Sequence, residues 1–89
     1  MAQTQKIHET AKLLADLDAT VEYPAYIEIE LCGLNFAFGH ANGDFGYEFS
    51  PIGDLSCPKA GEKTLPVESD AKEMAEFVRQ TIKIFVTII

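Results

Sequence analysis

The stretch from Ala25 to Ser50 reads AYIEIELCGLNFAFGHANGDFGYEFS, and two of its features decide the fold. Apolar residues alternate with polar or small ones, the period of a half-buried β-strand. Ile27, Ile29 and Leu31 flank Glu28 and Glu30, and Leu34, Phe36 and Phe38 alternate in the same way. Between the two runs the parity changes, across Cys32-Gly33. A two-residue hairpin loop there accounts for the change and pairs Leu31 with Leu34, Ile29 with Phe36 and Ile27 with Phe38. Asn42-Gly43 is a second such turn signal, and turning there pairs His40 with Phe45, Phe38 with Tyr47 and Phe36 with Phe49. Both turns put the aromatic residues on one face, an agreement that a one-residue slip would destroy. Cysteine is a poor choice at the first turn position, where φ is positive, so a longer bulged turn is the alternative at Cys32.

The same register lays out the other face in rows. Tyr26, Gly39 and Gly46 form one row, Glu28, Ala37 and Glu48 the next, and Glu30, Asn35 and Ser50 the third. The middle strand therefore offers a floor of small side chains with carboxylates beside it, and Glu28 and Glu48 stand about 10 Å apart, two strand spacings. Small residues on an exposed central strand let another backbone come close. Tyr26, Glu28, Glu30, Asn35, Ala37, Gly39, Asp44, Gly46 and Glu48 make up the candidate interaction face, and Tyr26 lying over Gly39 accounts for part of it without any partner.

On the N-terminal side, Ile7, Ala11, Leu14 and Leu17 recur at helical spacing, which predicts a helix capped by Thr4 and running to about Leu17. Asp16 and Asp18 oppose the dipole at its end. Val21 to Pro24 reads as a linker. On the C-terminal side, Ser50 to Glu68 holds Pro51, Gly53, Pro58, Gly61 and Pro66, which predicts a long loop without regular elements, anchored by Ile52, Leu55, Leu65 and Val67. Ser69 or Asp70 opens a second helix, Asp70 with Glu73 having capping-box spacing, and its stripe is Ala71, Met74, Val78, Ile82 and Phe85. That helix is expected to reach about Val86, with a final strand as the alternative. The resulting expectation is a single α+β domain over residues 1–89: a two-layer sandwich in the order α-β-β-β-α, with a three-stranded antiparallel meander and both helices on one face. The order of elements is similar to that of the double-stranded-RNA-binding domain. That family carries a basic cluster where this chain has Ser69-Asp70-Ala71-Lys72-Glu73, so the resemblance implies no RNA binding.

The 89 residues carry a net charge of −7, unevenly placed. No Lys or Arg lies between Leu13 and Pro58, whereas Asp16, Asp18, Glu22, Glu28, Glu30, Asp44, Glu48 and Asp54 all do. Such a surface repels phosphate backbones and attracts basic partners. Direct nucleic-acid binding is therefore not expected. The start of the chain has no apolar signal region, and Ile84–Ile89 is far too short to span a bilayer, so a cytoplasmic protein without membrane association is expected. Cys32 and Cys57 read as two reduced thiols. His8 falls on a helix surface and His40 at the edge of the apolar face, neither with a partner in sequence that suggests catalysis. No motif for a cofactor, a metal or a catalytic group is present. The apolar C-terminus, through Ile84, Phe85, Val86, Ile88 and Ile89, is the candidate contact of a homodimer. The expectation is a non-enzymatic, self-associating interaction module for a basic protein. Two alternatives are a nucleic-acid-mimicking inhibitor, using carboxylates at alternate strand positions, and a small-ligand binder or enzyme using the Glu28/Glu48 face.

Overall fold

A computed structural model describes residues 2–22, 25–41, 43–54, 56, 58–66 and 68–86. Helix α1 (Ala2–Leu13) runs into a 3₁₀ turn (Ala15–Leu17) and is followed by strands β1 (Thr20–Glu22), β2 (Tyr26–Leu31), β3 (Leu34–Ala41), β4 (Asp44–Pro51), β5 (Lys59–Ala60) and β6 (Leu65–Pro66), then helix α2 (Ala71–Phe85). The fold is α+β, with two helices packed together against an antiparallel sheet.

The three long strands pair in the register that the alternation dictates: Leu31↔Leu34, Ile29↔Phe36 and Ile27↔Phe38 between β2 and β3, and Phe36↔Phe49, Phe38↔Tyr47 and His40↔Phe45 between β3 and β4. The first turn is the tight one, with Cys32 at φ 51° and Gly33 at φ 82°. Gly43 of the second turn has φ 86°. Glycine has no Cβ to oppose such values; cysteine does.

The sheet is wider than the expected three strands. Its order is β1-β2-β3-β4-β5, with β6 also on β4. Residues 20–22, of which Val21 and Glu22 belong to the expected linker, pair with β2 through Thr20↔Glu28, Val21↔Ile27 and Glu22↔Tyr26. The segment expected as an unstructured loop returns twice to the outer edge of β4, pairing Phe49 with Lys59 and Phe45 with Leu65. Strands of two or three residues are too short to carry a period. Only the edge they complete explains them. Of the proposed anchors, Leu65 packs against the core, Ile52 is 47% exposed, and Leu55 and Val67 lie outside the described residues.

One core joins the layers. Ile7 and Ala11 of α1, Leu14 directly after it, Ile27, Ile29, Phe36, Phe38 and Phe45 of the sheet, and Met74, Val78 and Ile82 of α2 belong to it. Each fully buried Phe or Ile contributes about 1.5–3 kcal/mol relative to its exposure. Thr10 is buried among them, and its hydroxyl donates to Lys6 O at 2.7 Å, one turn back, so no polar group is stranded there. Aromatic rings continue the core outward, with Phe49 and Phe85 centroids 4.5 Å apart.

The helix ends follow local chemistry. Helix α1 starts at Ala2, so Thr4 lies inside its first turn and is not the cap. Asp18, in the left-handed region at φ 56°, ends the 3₁₀ turn. Asp70 caps α2 in a reciprocal box: its Oδ1 accepts from Glu73 N at 2.8 Å and Glu73 Oε1 accepts from Asp70 N at 2.9 Å. The helix ends at Phe85 with Val86 as its C-cap, not in a strand. Arg79 ties the helices together, donating to both carboxylate oxygens of Asp16 at 2.8 and 2.9 Å and to Leu13 O at 3.0 Å. Its guanidinium holds the Asp16 carboxyl below the usual range.

Candidate functional site: an acidic groove on the exposed sheet face

Pleating sends the side chains between the core positions to the opposite face. There the register aligns Tyr26, Gly39 and Gly46 across β2, β3 and β4, then Glu28, Ala37 and Glu48, then Asn35 with Glu30 on one side and Ser50 on the other. This face is concave. A groove of about 600 Å³ runs over it, lined by Tyr26, Glu28, Asn35, Ala37, Gly39, Asp44, Gly46, Glu48 and Ser50 of the sheet and by Pro58, Ala60, Gly61 and Thr64 of the returning segment. Eight of the nine residues expected on the interaction face line it. The ninth, Glu30, is exposed outside it.

Two causes make the hollow. The floor is low, because β3 and β4 contribute Ala37, Gly39 and Gly46, whose side chains end at or before Cβ. Gly39 is hemmed by its cross-strand neighbour: a Cβ there would stand 3.1 Å from Tyr26 Cβ. The outer wall is high, because the segment after Pro58 is pulled onto β4. Gly61 N donates to Tyr47 O at 2.8 Å, and a Cβ added at Gly61 would fall within the Tyr47 ring. Farther along, Thr64 Cγ2 lies 3.4 Å from the Cβ position of Gly46.

Charge and polarity in the groove are one-sided. Three carboxylates line it (Glu28, Asp44 and Glu48), and no Lys or Arg does. Glu28 Oε2 accepts from Asn35 Nδ2 at 3.4 Å. That contact orients the Asn35 amide, since the reverse orientation would set two oxygens against each other. Asn35 Oδ1 is then buried without a hydrogen-bond partner. Its cross-strand neighbour Ser50 is only 3% exposed. Extending the Lys59↔Phe49 pairing by one residue sets Pro58 beside Ser50, so these two polar groups mark one end of the groove and Asp44 the other.

His40 and Tyr47 also line the groove, from the side of the core. His40 packs edge-on to Phe45, with ring centroids 5.4 Å apart, and its Nε2 is buried without a partner. Burial and the nearby Lys6 charge hold its imidazole below the usual range. The Tyr47 phenol is pushed up by burial and by Glu62. His8 is exposed on α1. Cys32 is exposed at the hairpin tip, and Cys57 lies outside the described residues. Among the described residues, no group of three His, Cys, Asp or Glu side chains has the arrangement to hold a metal ion. Among the same described residues, no helix is long and apolar enough to cross a membrane. At the C-terminus Phe85 and Val86 pack into their own core and Ile84 is 56% exposed, while Ile88 and Ile89 lie outside the described residues.

The outer wall is the part that sequence reasoning missed. Pro58, Ala60, Gly61 and Thr64 carry no periodic signal, and only the length of the segment hinted that it covers something. Comparison with protein-family models, with curated proteins and with solved structures finds no match.

Proposed function

We propose that this chain is a non-enzymatic binding module that takes a basic segment of a partner protein into the groove on the exposed face of its sheet. The observation that carries the reading is the lining itself: three carboxylates, no Lys or Arg, and a floor of Ala and Gly in a concavity of about 600 Å³. An extended chain lying along β3 from Asn35 to Ala41 covers about 20 Å, the length of six residues. The small floor lets its backbone approach, and the carboxylates attract its cations and speed its arrival. The concavity favours this reading over mimicry of nucleic acid. A mimic must enter the groove of a nucleic-acid-binding enzyme and so must itself be convex, with its carboxylates standing out as phosphates do.

The test is a two-dimensional NMR titration with a capped six-residue oligolysine and, separately, a capped six-residue oligoglutamate. Oligolysine is expected to saturate and to shift the amides of β3, of the inner part of β4 and of residues 58–64. Raising salt from 50 to 300 mM and changing Glu28 and Glu48 together to Gln should each weaken binding about tenfold. Shifts spread over every exposed acid without saturation would refute the groove as the site.

A further inference from the structure

The Pro58 end of the groove holds a second kind of chemistry. The acidic character of the groove explains why a cation enters, but not why two neutral polar groups stand buried at one end of it. Asn35 Oδ1 has no hydrogen-bond partner. Ser50, directly across the strand pair, is 3% exposed and its hydroxyl makes no hydrogen bond among the described residues. A buried acceptor left unpaired costs about 1–3 kcal/mol, so Asn35 Oδ1 carries a cost that a bound donor removes, and the Ser50 hydroxyl beside it has an acceptor to spare. The third group is Glu28, whose carboxylate is within 3.4 Å of the Asn35 amide nitrogen.

We infer that Glu28, Asn35 and Ser50 form an ammonium subsite, which receives the terminal amine of one lysine of the bound segment. The inference rests on the reading of the groove as a site for a basic segment, and it adds which cation is read and where. An alkylammonium carries three N–H donors on one compact, rotatable nitrogen. Three acceptors from three adjacent strands match that set: the Glu28 carboxylate, Asn35 Oδ1 and the Ser50 hydroxyl oxygen. A guanidinium presents its donors in a rigid planar fork, which suits a carboxylate but not acceptors contributed by three strands. Asn35 Oδ1 is shielded from solvent, so its bond forms with a small turn of the amide about χ2, the soft torsion of this side chain. The methylenes of the lysine then lie over Ala37 and beside Ala60, both of which line the groove.

The experiment compares two probes of equal charge on the unaltered protein, the capped six-residue oligolysine and the same peptide with every amine trimethylated. Trimethylation keeps the charge and removes the N–H donors. The subsite predicts at least a tenfold loss of affinity on trimethylation. It also predicts that Asn35→Ala and Ser50→Ala each weaken oligolysine severalfold while leaving the trimethylated peptide unchanged, and that Glu28→Gln weakens both. Equal affinity of the two peptides for the unaltered protein overturns the subsite and leaves the groove reading standing. Failure of both peptides to bind overturns the subsite and the groove reading together. The peptide comparison needs no variant, so it decides the matter even where Asn35→Ala does not fold.

Discussion

Changing Gly61 to Ala tests whether the groove wall is set by the contact of this residue with Tyr47. No positive φ is involved at Gly61, so the cost is one of space alone, and the space is taken: the new methyl would occupy the Tyr47 ring. Two responses are open to the protein. The ring can move, but it sits among Phe38, Phe49, Phe77 and Phe85 at centroid distances of 5.8–6.3 Å, and overpacking of this kind costs about 1–3 kcal/mol. Alternatively residues 59–61 can lift off β4, forfeiting the Gly61 N to Tyr47 O bond and the short ladder at Lys59 and Ala60, at about 1 kcal/mol for each bond lost. Either way about 1–3 kcal/mol is lost from the roughly 5–13 kcal/mol expected of a chain this size. The melting temperature should fall by about 4–20 °C. The assay is thermal unfolding followed by near-ultraviolet circular dichroism, where tyrosine dominates because the chain has no Trp. A double-mutant cycle closes the argument: in a Tyr47→Ala background the same change should cost under about 0.5 kcal/mol. A melting temperature within about 2 °C of the unaltered protein, or an equal loss in both backgrounds, would refute the role given to this contact.

Three further outcomes are expected. Cys32→Gly should stabilise the protein by about 0.5–1 kcal/mol in urea unfolding, because Cys32 holds φ 51° at the hairpin tip and relief of that strain outweighs the freedom gained by the unfolded chain. Unchanged or reduced stability would argue against strain there. His40 titrates below the unfolded value of 6.5, so the unfolded chain takes up the proton first. Stability should therefore be full above pH 6.5 and decline as pH falls through that value toward the lower folded one, and His40→Leu should flatten that part of the curve. Phe36→Ala, which empties a wholly buried site, should cost about 3–5 kcal/mol by chemical denaturation; a loss under about 1 kcal/mol would contradict the assigned core.

Much of the fold was legible, and it is informative which parts were not. The register of β2, β3 and β4 could be worked out because two turns each shift parity by a known amount, and a wrong choice at either would have driven Phe36 and Phe38 to the solvent face. The capping box at Asp70 was legible because both partners lie within four residues. β1, β5 and β6 escaped because Thr20–Glu22, Lys59–Ala60 and Leu65–Pro66 are too short to show a period, even where Thr20 and Val21 are β-branched. Each pairs because a neighbouring strand offers unpaired backbone, a tertiary cause. The candidate site divides along the same line. Its floor and carboxylates follow from the register, whereas its depth comes from Gly61 resting on Tyr47, a contact between residues with no shared pattern. Ser50 and Asn35 could be placed in one row from the sequence, but their burial could not.

The double return of the chain to the edge of β4 has a consequence for solubility. An eight-residue strand such as β4, left open along one side, is a template for pairing with another copy. Here β5 and β6 occupy stretches of that side, and β6 ends in Pro66, which has no N–H to offer a further strand. The opposite margin of the sheet is β1, only three residues long. The segment that walls the groove is thus also a gatekeeper against edge-to-edge growth. Excising residues 58–66 would be expected to open the groove and to leave the edge of β4 free to pair strand on strand with another copy.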